Sequence, residues 1–238
     1  MPYTEIAGLT TWWDVHGAGA PLVLLHPGGA DSRAFDDNLP GLAARFRTYR
    51  FDRRGHGRTP DADGPIGFEQ MARDTIAFVE AEVGEPVHVI GHSDGAIVGL
   101  LAARLRPDLV RGLVFSSGVF HHEGWLPGVL DLPQDAFDFL AGLHAEVAPE
   151  ASFGALMAKL DRMHAEEPAL APEDLAGIAT PTLLVFGDDD EIALEHVIAM
   201  YRALPRAQLA TVPGGDHGHP SDDPERFNAM AARFLAAC

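Results

Sequence analysis

The stretch VHVIGHSDGAIVGLLAARL, residues 87–105, carries one hydroxyl, Ser93, between Gly91 and Gly95. An apolar run leads into the first glycine and an alanine-rich run follows the second. A serine at such a strand-to-helix join can act as a nucleophile, because a very tight turn lifts its hydroxyl clear of the sheet. Bulky neighbours would clash there, hence the glycines. The helix that follows aims its N-terminal amides at the same spot. A serine hydroxyl attacks a carbonyl only with a base beside it, and the base needs an acid to orient it. In this kind of turn the expected chain order is serine, acid, histidine. LLVFGDDDEI supplies Asp188, Asp189 and Asp190, and TVPGGDHGHP supplies His217 and His219. The developing oxyanion needs two N–H donors. One is the amide of Asp94, after the serine. The other belongs to HPGGA, where Gly28 and Gly29 let the backbone approach a substrate closely.

Such residues meet only if the chain brings several strand ends together. Short apolar runs at 9–15, 21–26, 47–52, 86–91, 110–118, 180–187 and 207–214 alternate with helical patterns at 32–46 (interrupted by Pro40-Gly41), 68–84, 94–105, 191–204 and 223–237. That alternation predicts an α/β fold, a mostly parallel sheet with helices on both faces. PLVLLH reads as a central strand buried on both sides. In FEQMARDTIAFVEAEVG, Met71, Ile76, Phe78, Val79 and Val83 form an apolar stripe that Gly84 ends. Every candidate group then lies just past a strand end, where open α/β sheets bind ligands. Residues 119–177 break the alternation, far longer than an ordinary connection. With helical patterns in QDAFDFLAGLHAEV and FGALMAKLDRMHAE, they read as a small helical cap inserted into a single domain, 1–238.

The formal net charge is -18 from 35 acidic and 17 basic residues. A surface this acidic repels nucleic acid and anionic membranes, so neither is expected as a partner. Cys238 is the one cysteine, which excludes an internal disulfide. No apolar stretch reaches membrane-spanning length, and the first residues lack a basic region followed by an apolar run, so a cytoplasmic protein is expected. His217-x-His219 and His121-His122-Glu123 lack a third ligand at a telling spacing, so no metal is expected, nor any cofactor.

The chain resembles the α/β-hydrolase superfamily from about residue 10 onward. LLHPGG resembles its oxyanion segment, with Pro27 in place of the usual glycine. FDRRGHGRT resembles its Asp-x-Arg-Gly-x-Gly loop, GHSDGA its nucleophile turn, PTLLVFGDDDEI its acid segment and VPGGDHGHPSDDPERF its histidine segment. The resemblance implies Ser93 as nucleophile, Asp190 as the acid and His217 as the base, with Asp188 the rival acid. It implies hydrolysis of a carboxylic ester, lactone or thioester of a small molecule through an acyl-enzyme. A C–C bond hydrolase, a cofactor-free perhydrolase, a ligand receptor and a cyclising enzyme fit the same motifs. His26 is expected to support the oxyanion loop, His92 to pack beside the turn and His219 to sit at the pocket rim or surface. Phe120 and Trp125, which open the insertion, are expected to line the pocket. Arg54 and Asp52 are expected to tie loops together. The SDG at 93–95 is similar to valacyclovirase-like hydrolases, which implies an Asp94 carboxylate that attracts a substrate cation. A carboxylate in the first turn of a helix is also favoured on dipole grounds alone.

Overall fold

In the computed structural model, which describes residues 3–238, the strands are β1 (Tyr3–Ile6), β2 (Leu9–His16), β3 (Pro21–Leu25), β4 (Arg47–Phe51), β5 (Val87–His92), β6 (Val110–Ser116), β7 (Thr182–Gly187) and β8 (Ala207–Val212). They form one sheet in the order β1-β2-β4-β3-β5-β6-β7-β8. The β1–β2 and β2–β4 pairs are antiparallel; the pairs from β4 through β3, β5, β6 and β7 to β8 are parallel. This is the α/β architecture expected from the alternating pattern.

Side chains alternate across a strand, so a strand covered on both faces is apolar throughout. All five residues of β3 and all six of β5 are buried. Leu22, Leu24, Ile90, Val114, Leu183 and Val185 face one core, beneath α1 (Leu39–Ala43) and the closing amphipathic helix of the chain. Val23, Leu25, Val89, Leu113, Phe115 and Leu184 face the other, beneath α2 (Phe68–Phe78) and α3 (Asp94–Leu105). Each such Leu or Phe contributes about 1.5–3 kcal/mol by leaving water.

Between β6 and β7 lie α4 (Gln134–Val147), α5 (Phe153–His164) and α6 (Pro172–Leu175). Phe153, Leu156, Leu160 and Met163 of α5 bury an apolar stripe at helical spacing against the second core. Then come α7 (Leu194–Ala203), α8 (His219–Asp222) and α9 (Pro224–Leu235). The break expected at Pro40-Gly41 falls earlier, and the helix expected over 68–84 changes form. The stretch 32–46 holds a 3-10 turn, Ser32–Phe35, capped by Asp31, and then the short α1. Past α2 the chain widens into a π turn over Val79–Val83, closed by Gly84 at φ +72. Among the described residues, no helix is long and apolar enough to cross a membrane.

Candidate active site

Ser93 joins β5 to α3 at φ 54, ψ -122, a region that costs a side-chain-bearing residue about 1–3 kcal/mol. Two close approaches require the glycines around it. A Cβ on Gly91 would lie 2.2 Å from the Gly95 carbonyl oxygen, and one on Gly95 would lie 1.9 Å from that of Leu25. The turn is thus pinned between its own helix and β3. The Ser93 side chain does not cap α3, which leaves its hydroxyl uncommitted to the helix.

Past β7, Asp188 and Asp189 are exposed and Asp190 is buried. Asp188 Oδ1 accepts from the Gly214 amide at 2.6 Å, a turn-fixing bond. Asp190 Oδ1 instead meets His217 Nδ1 at 3.0 Å. The two loops are drawn together at Gly187, where a Cβ would lie 1.9 Å from the Gly215 carbonyl oxygen. The His217 ring lies 5.0 Å from that of His92, the residue before Ser93. Burial raises the proton affinity of a carboxylate, but hydrogen bonds from His217 and Ser117 outweigh it and bring Asp190 to about 2. Burial lowers an imidazole, but the bond to Asp190 and the charges of Glu191 and Asp190 leave His217 raised. An ionised acid therefore holds an imidazole whose other nitrogen is left for proton transfer.

The loop after β3 is held from below by a buried arginine. Arg53 is 1% exposed and donates to the His26 carbonyl at 2.6 Å and the Pro27 carbonyl at 3.1 Å. Its own amide donates to His26 Nε2 at 3.0 Å, so the His26 proton sits on Nδ1 and is donated to the Pro27 carbonyl at 2.8 Å. Burial, with the Arg53 and His56 charges, keeps this ring neutral. Gly29 (φ +67) meets the insertion: a Cβ there would lie 3.2 Å from Met157 Sδ and within 4 Å of Phe153 and Leu140. A cavity of about 380 Å³ opens beside it, lined by Gly29, Ala30, Arg33, Leu140, Leu143 and His144.

Asp94 is the residue whose side chain departs most from expectation. It is 1% exposed, and its Oδ1 accepts from His164 Nε2 of α5 at 2.8 Å. Burial would raise this acid, yet the His164 charge and hydrogen bond, with Arg53, hold it below the ordinary range. A histidine of the chain itself stands where the resemblance implies a substrate cation. Asp94 Oδ2 fills the space that a Cβ on Gly28 would need, 2.3 Å away.

Two histidines named around the pocket do not line it. His26 is fully buried, with Nδ1 bonded to Pro27 of its own loop and Nε2 to the Arg53 amide of the loop after β4, so it supports the oxyanion loop as expected and faces no open space. His219 is 4% exposed, not at the rim: α8 begins there and turns its Nε2 toward Ser116 and Ser117 at 3.3 and 3.2 Å. His92 packs beside the turn, held to about 3 by burial and by its histidine neighbours. Trp125 lies 6.0 Å from His217, ring to ring, whereas Phe120 stacks on His196 at 4.1 Å. Asp52 ties loops as expected, accepting from the amides of Ser32 and Arg58, but Arg54 reaches away to Asp74 of α2. It is the preceding arginine, Arg53, that serves the site. Ser117 and His164 went unread. SSG after a strand was a weak signal for the first; nothing local marks His164, whose partner is 70 residues away. Among the described residues no cluster suits a metal ion.

A family model described as the alpha/beta hydrolase family matches residues 22–230. A putative carbamate hydrolase RutD of Azorhizobium caulinodans is 28% identical over 98% of both chains. A 2-hydroxy-6-oxo-6-(2'-aminophenyl)hexa-2,4-dienoic acid hydrolase of Metapseudomonas resinovorans is 25% identical over 98% of this chain and 90% of that one. Among solved structures, a serine hydrolase involved in carbazole degradation superposes with a TM-score of 0.84 at 24% identity, covering 99% of this chain and 98% of the other; that likeness speaks to the fold. With five motifs in order and the family match spanning most of its length, the chain belongs to the alpha/beta hydrolase family.

Proposed function

We propose that the protein hydrolyses a carboxylic ester, lactone or thioester of a small, neutral molecule through an acyl-enzyme on Ser93. The Asp190–His217 hydrogen bond beside a strained serine turn carries this reading. Ser93 Oγ attacks the substrate carbonyl while His217 Nε2 takes its proton. The oxyanion of the tetrahedral intermediate accepts from the amides of Asp94 and of Gly28 or Gly29. Collapse breaks the bond to the leaving group, to which His217 returns the proton. Water then repeats the sequence, with His217 as base, and releases the acid. Asp190 holds the imidazole tautomer and is not itself protonated.

The segment 119–177 serves as a cap. Its Leu140, Phe153 and Met157 lie against Gly29, which favours an apolar acyl group over a charged one. The relatives named above act, by their names, on a carbamate and on a dienoic acid, so carbamates and C–C substrates belong in the assay panel beside esters, lactones and thioesters.

The test is turnover of p-nitrophenyl acetate with mass detection of the acyl adduct. Wild type should turn over many times and carry the adduct on Ser93. Ser93→Ala should fold normally and lose at least about a thousandfold in rate. Near-normal turnover by Ser93→Ala would remove the assignment.

A further inference from the structure

Ser117 is a serine in a conformation that glycine would adopt freely, φ +52, although the glycine of SSG stands one residue later. It is fully buried, so its hydroxyl meets no substrate. Its amide donates to the Val185 carbonyl of β7 at 3.1 Å, which sets it at the end of the neighbouring strand. There its hydroxyl donates to Asp190 Oδ2 at 2.6 Å.

That bond fixes the direction of the next one. The Ser117 proton lies toward Asp190, so the contact to His219 Nε2 at 3.2 Å is favourable only if His219 carries its proton on Nε2 and donates it to Ser117 Oγ. The same N–H reaches Ser116 Oγ at 3.3 Å. His219 Nδ1 is then the bare nitrogen, and among the described residues it has no hydrogen-bond partner. Burial lowers the proton affinity of the His219 ring, which goes with a bare Nδ1.

We infer that His219 and Ser117 form a buried relay that fixes which oxygen of Asp190 faces His217. It rests on the reading that Ser93, His217 and Asp190 act together. Around the carboxylate, Oδ2 takes the Ser117 hydroxyl and the Gly187 amide (3.2 Å). Oδ1 takes the Glu191 amide (2.8 Å) and His217 Nδ1 (3.0 Å). A carboxylate held by donors on both oxygens cannot rotate. Without the Ser117 hydroxyl, Oδ2 keeps only the longer Gly187 bond. The carboxylate plane can then turn, and the His217 ring turns with it. Ser117 and His219 are thus positioning residues, and the left-handed backbone at 117 is what aims the hydroxyl.

Ser117→Gly separates positioning from folding, because glycine relaxes the backbone while deleting the hydroxyl. The melting temperature should stay level or rise. The kcat on p-nitrophenyl acetate and the rate at which a fluorophosphonate labels Ser93 should each fall about tenfold to hundredfold, with KM within about twofold of wild type. His219→Gln, which can still present an N–H, should keep most of the rate, and His219→Leu should lose it. Wild-type labelling and turnover in Ser117→Gly would overturn the relay while leaving the Ser93 reading intact. So would a loss that follows melting temperature across all three variants. If wild type itself is not labelled on Ser93, the reading beneath the relay fails and the relay fails with it.

Discussion

His217 can take the Ser93 proton only while its imidazole is neutral. Its pKa is raised, chiefly against burial, by the bond to Asp190 and by the acidic charges beside it. The sign follows directly: activity is present above that pKa and is lost as pH falls through it. The acid limb of kcat/KM should therefore lie above the ordinary imidazole range. Asp190→Asn removes both the charge and the acceptor. It should lower kcat about a thousandfold or more and shift the surviving acid limb to lower pH. A pH–rate profile of the two proteins checks both points; an unmoved limb would mean that another group is titrating. Asp188→Asn should cost little in rate, since Asp188 bonds only the Gly214 amide among the contacts described, and its effect should show in melting temperature. The sequence made the order of serine, acid and histidine legible at this scale. Choosing among three consecutive aspartates needed a family resemblance, because only the loop path decides which one turns inward.

Helix α5 is tied to the body of the protein by His164 to Asp94, by Lys159 to Asp61 and, just past its end, by Glu167 to the Phe68 amide. His164 is raised, mainly through Asp94 and against burial, and Asp94 is depressed. A raised histidine contributes stability that is complete below its unfolded pKa and fades as pH rises through the folded one. A depressed acid contributes above its unfolded pKa and fades as pH falls through the folded one. The tie is thus strongest between the two, in mildly acidic solution. The groups facing it are Arg53 and His56 from the loop after β4 and Asp161 from α5 itself. We expect the protection factors of the α5 amides, taken relative to intrinsic base-catalysed exchange, to fall as pH rises past the His164 pKa, and His164→Ala to abolish that fall. The same variant should cost about 3 kcal/mol, because it strands a buried carboxylate. Unchanged α5 exchange in His164→Ala would show that the apolar stripe alone holds the helix. The strands around the site were legible because burial on both faces leaves short apolar runs. The stretch 32–46 was legible as a broken helical pattern, but its break lies before Pro40 and not at Pro40-Gly41: the Asp31 cap starts a 3-10 turn, and Pro40 sits in the first turn of α1. Ties such as His164–Asp94 leave no local pattern to read.

Across the whole molecule, the net charge of -18 acts on what approaches the site. Of the cationic groups around the candidate oxyanion loop, Arg33 pairs with Asp31 and Glu146, His164 pairs with Asp94, and Arg53 is buried beneath the loop on its carbonyls. An anionic acyl ester should therefore react more slowly than a neutral one of equal size at low salt. Raising salt to about 0.5 M should narrow that gap several-fold, since screening shortens the reach of the field to a few ångströms. The kcat/KM of a succinyl and a butyryl ester, each at two salt concentrations, measures this. A gap that ignores salt would trace to contacts inside the pocket.

The space at Gly28 is shared property. Asp94 Oδ2 occupies what a methyl group at position 28 would need. Gly28 is not in the left-handed region, and the atoms nearest a Cβ there all belong to the Asp94 carboxylate, Oδ2 at 2.3 Å and Cγ at 2.9 Å. The two positions cannot drift independently. Gly28→Ala alone should damage the enzyme, yet in an Asp94→Gly background the alanine should be accommodated, and a double-mutant cycle on melting temperature should show strong positive coupling. A scan that changes one residue at a time would record position 28 as closed, when a neighbouring lineage needs only to lose the carboxylate first in order to reshape its oxyanion loop.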